Sequence, residues 1–464
     1  MALTVVGPCR LSCRVPRREP NLTALQCIDR LLHRYQPLGI ELGLDHIRTL
    51  LAALGSPHQQ MPVIHVAGSN GKGSVCAYVS AVLTTAGYRV GRYTSPYLVD
   101  WTDQICLNDR PIPPEQLAQA LQQVEDAIPQ GLAITQFELL TATAWWIFAQ
   151  EAVDIAVVEV GLGGRLDATN VCDRPLITAI TSISLEHCHY LGPTLADIAR
   201  EKAGILKPGC AVVVGPLPAE AEAVVAQQIQ RLKCPALWPQ PARWRGTAII
   251  QTLQDAIAQV PWAEVEDLAY PLPLRGEVQL TNSAVAIAIL QHLRQQGWQI
   301  TDEAMTQGIA RTQWPGRLHW VQGYPTPLLL DGAHNPDAAQ RLRQYVDQFQ
   351  PTSVHWLMGM LATKDHRAIL QALLRGGDRL TLVPLPDPRS AVPSALADLA
   401  TTVCPHLVTC EPVTLEAGWA ALMHPQPVLE PAPTLKVLCG SLYWVGYFLR
   451  RYSRLPHQSR AIET

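Results

Sequence analysis

Two successive α/β domains, a doubly wound parallel-sheet domain and then a smaller Rossmann-like one, are what the apolar pattern of this chain calls for. Three features carry that expectation. A short β-branched run, Met61 to Gly68, passes through a glycine-rich turn into a helical pattern from Lys72 to Ala86, closed by Gly87. Strand-like and helix-like segments then alternate, which is the mark of parallel strands joined by crossover helices. Finally, the alternation starts again after Trp314-Pro315-Gly316-Arg317, where proline fixes φ and glycine frees it, as a hinge requires.

Taken in order, the first domain has strand-like runs at Val90 to Tyr93, Ile155 to Val160, Leu176 to Ser184 and Ala211 to Gly215. Helical patterns lie between them at 113–127, 135–150 and 194–203. The second set of strands is Leu328 to Leu330, Val354 to Leu357, Leu380 to Leu385, Leu407 to Cys410 and Leu435 to Cys439. A chain of 464 residues exceeds what one hydrophobic core usually supports. The expected division is a frayed tail over 1–20, a first α/β domain over 21–313 and a second over 314–464.

Composition removes several classes. With 48% hydrophobic and 16% charged residues the chain reads as compact and globular, and its uncharged runs are too short or too interrupted for a membrane span. A net charge of -3, with no dense basic run beyond the first twenty residues, excludes a phosphate-backbone binder, so no nucleic-acid partner is expected. The twelve cysteines are scattered without CxxC spacing, which reads as reduced thiols in a cytoplasmic setting. The opening segment carries Arg10, Arg14, Arg17 and Arg18 but no apolar core of a secretory signal.

Five motifs could carry chemistry. Gly68-Ser69-Asn70-Gly71-Lys72-Gly73-Ser74 stands between strand and helix, where glycines let backbone N–H groups wrap a phosphate and the helix N-terminus adds positive potential. It is a P-loop of unusual spacing: two residues separate Gly68 from Gly71, and an extra glycine precedes the hydroxyl. Glu159 ends an apolar strand, the place where such sheets put ligands and NTPases put Mg²⁺. The loop Gly161 to Asn170 follows it; its Asp167 and Asn170 suit either a substrate pocket or an ordinary turn. Glu186-His187 and Glu201-Lys202 lie at a strand edge and a charged helix end, and the latter alone would be read as solvated. In the second domain Asp331-Gly332-Ala333-His334-Asn335 sits at a strand-to-helix turn facing a cleft.

In this order the motifs resemble the Mur ligase superfamily, and within it the folate branch of dihydrofolate synthases and folylpolyglutamate synthases. The resemblance covers about residues 24–450 and includes His65 to Ser74, Thr94-Ser95-Pro96, Glu159 to Asn170, Glu201-Lys202-Ala203-Gly204-Ile205, Pro315-Gly316-Arg317, Asp331 to Pro336 and Gly440-Ser441-Leu442-Tyr443. It implies a P-loop ATPase-like domain followed by the C-terminal domain of the Mur ligase architecture. It implies ATP, two Mg²⁺ ions and, as a further candidate, K⁺. Gly68 to Ser74, Asn282, Arg317 and Asp331 would bind ATP, with Lys72 on the terminal phosphates. Ser95, Glu159, His187 and Lys202 would hold metal, Lys202 as a CO₂-derived carbamate that supplies an oxygen ligand suited to a hard ion. Glu186 stands where the family usually has Asp.

His334 would lie near the reacting phosphate and the incoming L-glutamate. Phe137, Leu166, Asp167 and Ala168 would shape the pterin pocket, with the Leu42-Gly43-Leu44-Asp45 segment nearby. The implied reaction joins L-glutamate to dihydropteroate and to reduced folates through an acyl phosphate, in a monomer with no membrane partner. Three alternatives stand beside it: a monofunctional enzyme of the same branch, a peptidoglycan Mur ligase, and a nucleotide-binding module that has lost its chemistry. The second would need a further domain ahead of Gly68, and the third is opposed by the intact Lys72, Glu159, His187, Lys202, Asp331 and His334.

Overall fold

The computed structural model describes residues 23–36, 39, 41–245, 260–321, 327–423 and 434–452, so the basic segment 1–20 lies outside the described residues. The first domain is built on β1 (Val63–Ala67), β2 (Val90–Tyr93), β3 (Ile105–Leu107), β4 (Arg110–Pro111), β5 (Ile155–Glu159), β6 (Ile177–Ile180), β7 (Ala211–Val214) and β8 (Ala236–Leu237). Their spatial order is β4-β3-β2-β5-β1-β6-β7-β8. From β2 to β8 the pairs are parallel; β3 and β4 add an antiparallel edge. β1 and β5 are buried along their whole length, which is why, His65 and Glu159 apart, both read as apolar runs rather than alternating ones. The chain leaves β1 toward one side of the sheet and later crosses to β6 on the other, opening a crevice at the carboxyl ends of β1, β5 and β6.

Helix Lys72–Thr85 leaves β1 with Ser74 to Leu83 all buried. It has no polar face because the sheet covers one side and helices Val278–Gln295 and Asp302–Arg311 cover the other. Helix Gln136–Gln150 starts at a capping box in which Thr135 and Glu138 satisfy each other's backbone N–H groups. A separate antiparallel sheet of β9 (Arg243–Trp244), β10 (Trp262–Val265) and β11 (Leu268–Pro271) closes the core with Ala263 and Tyr270. Sequence periodicity gives no sign of this sheet, since strands of two to four residues are too short to show alternation.

The expected strand Leu176 to Ser184 ends at Ile180. The reason is local: after a last bond from Thr181 N to Ala67 O of β1, the Thr181 and Ser182 hydroxyls and Ser184 N turn to the glycine-rich loop.

The second domain contains β12 (His319–Val321), β13 (Leu328–Leu330), β14 (Ser353–Met358), β15 (Arg379–Leu382), β16 (Thr409–Pro412) and β17 (Thr434–Cys439), in the order β12-β13-β17-β14-β15-β16. All neighbours are parallel except the β12–β13 pair at the edge. Helix Leu442–Tyr452 returns to the first domain: Leu98 packs into the cluster of Trp444, Val445 and Phe448, and Gly446 lies directly on the Leu98 carbonyl. Tyr97 packs at a tilt on Trp101, ring centroids 4.4 Å apart, and meets Tyr443 edge-on at 6.1 Å, so the segment after Ser95 is held between the two domains.

Candidate active site

The loop from Gly68 to Gly71 is strapped down before any ligand enters. Ser69 N donates to Ser182 O at 2.8 Å, Asn70 N to Ser182 Oγ at 3.0 Å, and Thr181 Oγ1 to Asn70 O at 2.7 Å. Gly68 and Gly71 both have positive φ, and a methyl on either would collide with Thr181 or Asn282. Asn282 therefore lies against the loop, and its amide donates to Gln279, which donates in turn to Ser74 Oγ in the first turn of the helix.

Two lysines converge on one carbonyl of this loop. Lys72 Nζ donates to Gly68 O at 2.9 Å and Ser69 O at 3.2 Å, and Lys202 Nζ donates to the same Gly68 O at 3.0 Å. Lys202, dismissed by spacing alone as a solvated helix end, is 2% exposed. Burial lowers its pKa, against the pull of Glu186, which accepts from it at 2.7 Å. Burial alone would raise Glu186, yet Lys202 and Lys72 hold it at about 2.

Glu159 is 5% exposed at the end of β5. Its carboxylate lies 4.0 Å from Lys72 Nζ and accepts a long bond of 3.4 Å from Ser95 N. Burial raises its pKa to about 7, with Lys72 opposing. A buried carboxylate so thinly satisfied is what a divalent cation would complete. Among the described residues, no three or more His, Cys, Asp or Glu side chains converge as a ready metal site. Ser95, Glu159, His187 and Lys202 offer a hydroxyl, a carboxylate, an imidazole and an amine; the set fits a hard ion once Lys202 carries a carboxylate-like oxygen. His187 holds φ 48 at the start of a one-turn helix, and burial, with Lys364, keeps it neutral at a pKa of about 4.

The second domain closes the cleft. Asp331 accepts from Leu318 N and Ala333 N, both at 2.8 Å, and so fixes the turn that presents Arg317. Arg317 acts electrostatically on Asp331, Glu159 and His334 together, which places it between the domains. His334 Nδ1–H donates to Gly332 O at 2.8 Å, leaving the Nε2 lone pair; burial lowers its pKa to about 3. Asn70 bridges directly to this domain: its amide donates to Asp337 at 2.8 Å, and its carbonyl oxygen accepts from Asn335 at 3.1 Å. Lys364 was not anticipated. It comes from the loop before helix His366–Leu373, faces Glu186, and has its pKa lowered by burial. A lone lysine in a turn carries no spacing signal, so only the fold brings it here.

The pocket residues are distributed differently. Phe137 stacks on Tyr93 at 6.3 Å and covers Gly161, where a methyl would collide with its Cζ and lie 2.9 Å from Cε2. Leu166 O accepts from Gly43 N at 3.2 Å, joining the loop to the Leu42 to Asp45 segment. Asp167 uses both carboxylate oxygens within its own loop, accepting from Leu162 N, Thr169 N and Thr169 Oγ1. Thr169 Oγ1 then accepts from His65 on β1 at 2.9 Å, an anchor the sequence reading left without a role. Ala168 is buried in the core beside Val171, and Asn170 ties Arg165 to Gly204.

Comparison with known proteins adds three findings. Residues 317–451 match the family model described as dihydrofolate synthetase, C-terminal domain. The chain is 36% identical to the dihydrofolate synthetase of Saccharomyces cerevisiae over 89% of its own length and 98% of that protein. It is 35% identical to the dihydrofolate synthase/folylpolyglutamate synthase of Escherichia coli, covering 88% and 91% of the two chains. Among solved structures, a bifunctional folylpolyglutamate synthase/dihydrofolate synthase with Mn, AMPPNP and L-glutamate bound superimposes with a TM-score of 0.77 at 28% identity, covering 93% of this chain and 99% of that one.

Proposed function

Since the chain belongs to the dihydrofolate synthase/folylpolyglutamate synthase family, we propose that it is an ATP-dependent ligase joining L-glutamate to dihydropteroate, forming dihydrofolate, and to tetrahydrofolate polyglutamates. The observation that carries the reading is the convergence of Lys72, Lys202, Glu159 and Arg317 on one interdomain cleft at the carboxyl edge of the sheet.

An amide does not form from a carboxylate without activation. A carboxylate oxygen of the pterin substrate attacks the γ-phosphorus of ATP, and the bond to the bridging oxygen breaks to release ADP. The acyl phosphate then accepts the α-amino nitrogen of L-glutamate at its carbonyl carbon; the nitrogen loses a proton and phosphate departs. Lys72 exchanges its loop carbonyls for the terminal phosphate, while Gly68 to Ser74 supply N–H groups and the helix N-terminus. Arg317 adds positive charge from the opposite domain. His334, neutral and with a free Nε2 lone pair, accepts a hydrogen bond from the incoming amine. Phe137, Leu166 and the Leu42 to Asp45 segment flank the flat ring, and Asp167 holds that loop in shape.

Ser95, Glu159, His187 and carbamylated Lys202 would hold Mg²⁺, which when bound neutralises the developing phosphoryl charge. K⁺ is a candidate companion cation. We place the domain division at Trp314 and take the enzyme to act as a cytoplasmic monomer; no described helix is long and apolar enough to cross a membrane.

The test compares the wild-type chain with Lys202→Ala, each given Mg²⁺-ATP and L-glutamate with dihydropteroate or with a reduced folate, and identifies products by mass. The wild type should glutamylate both acceptors, and the variant should do so only when acetate is added. Turnover with one acceptor would make the enzyme monofunctional, turnover with neither would refute the ligase reading, and an undiminished variant would remove the carbamate.

A further inference from the structure

The extra glycine of the P-loop has a structural cause at the hinge. A methyl carbon on Gly73 would run into the indole of Trp314, colliding with Cζ2 and lying 2.9 Å from Cε2 and 3.2 Å from Nε1. No phosphate group is needed to explain the glycine. The indole also meets Arg92, whose guanidinium carbon lies 5.3 Å from the ring centroid. Arg92 is itself fixed by Asp109 at 2.9 Å, and Asp109 accepts from Ser80 in the P-loop helix at 2.7 Å. Trp314 thus packs with the core of the first domain. Two residues later the chain is committed to the second domain, because Gly316 O accepts from Gly332 N at 2.9 Å. Only Pro315 separates the two anchors, and Arg317 follows at once.

We propose that Trp314 is a positioning residue: its indole, packed against Gly73 and Arg92, fixes where the hinge leaves the P-loop and so sets Arg317 relative to Lys72. The pairing of glycine at 73 with tryptophan at 314 is then one device, in which the loop gives up a side chain so that the hinge can dock on it. This rests on the ligase reading for its catalytic consequence, but the packing claim has a readout of its own in nucleotide binding.

Mg²⁺-AMPPNP affinity is measured calorimetrically for wild type, Gly73→Ala, Trp314→Leu and the double variant, with circular dichroism as the check of folding. Gly73→Ala should weaken binding at least about tenfold, because a displaced indole pushes on the loop, whereas Trp314→Leu should weaken it less than about threefold. The double variant, in which leucine makes room for the added methyl, should bind about as well as Trp314→Leu. Trp314→Leu should also lose about tenfold or more in kcat with its KM for ATP changed far less, since the loop carries most of the ground-state binding and a displaced Arg317 is missed chiefly as charge builds up in phosphoryl transfer. Recovery of folding in the double variant when Gly73→Ala fails to fold would count equally as rescue. A double variant as weak as Gly73→Ala, or as unfolded, would overturn the proposal, as would a Trp314→Leu enzyme with unchanged kcat. Absence of AMPPNP binding by the wild-type chain would remove the ligase reading, and the proposal with it.

Discussion

Glu159 shows how a single residue can be costly to the fold at the place where the proposed reaction would need it. Its carboxylate is buried with one long backbone bond and one lysine at 4.0 Å. Its folded-state pKa of about 7 lies above the ordinary carboxylate value. Between those two values the folded chain holds a proton that the unfolded chain has released, so stability falls as pH rises through this window and is lowest above it. Replacing the charge by a neutral isostere should therefore stabilise the metal-free protein at pH 8 while abolishing function. For Glu159→Gln we expect a gain of about 1–3 kcal/mol in denaturant unfolding at pH 8, shrinking toward zero near pH 5. Turnover should fall by about 10² or more. A less stable variant at pH 8 would contradict this account of the site's electrostatics. Lys202 has the same character: a cation 2% exposed, retained where an apolar residue would cost the fold less.

At the scale of elements, contact between the domains depends on a few close approaches. Gly446 in the last described helix lies on the Leu98 carbonyl, and a methyl there would sit 2.7 Å from the carbonyl carbon. Leu98 is three residues from Ser95 and packs on Trp444, Val445 and Phe448, so pushing the helix away should loosen that cluster and disturb the loop proposed to hold metal. Gly446→Ala is expected to lower kcat/KM by about 10²-fold, as a displacement of about an ångström does, with circular dichroism unchanged. Activity within twofold of wild type would show that this contact does not position Ser95. The long parallel strands were legible in sequence because burial on both faces leaves continuous apolar runs, as in β1 and β5. The β9–β11 sheet was not, being made of pieces too short to show a period. The premature end of β6 was equally hidden, since Thr181 and Ser182 bond the P-loop only once two distant segments meet.

For the whole molecule, the sequence motifs give an inventory, and the fold decides their roles. Gly68, Lys72 and Glu159 could be read from their places beside strands. Lys202 was readable only by resemblance, because nothing local distinguishes a buried lysine from a solvated one at a helix end. Lys364 was not readable at all, since its position depends on how the second domain meets Glu186. The bridge from Asn70 to Asn335 and Asp337 makes the glycine-rich loop part of the domain interface, so under the proposed function nucleotide binding and domain contact would share the same atoms. The proposed reaction passes through a labile acyl phosphate, from which closure of the two domains would keep water. That intermediate leaves a signature. With dihydropteroate carrying oxygen-18 in its carboxylate, together with Mg²⁺-ATP and L-glutamate, the account predicts one oxygen-18 atom in each phosphate released, measured by mass spectrometry alongside the glutamylated product. Glutamylated product accompanied by unlabelled phosphate would contradict it.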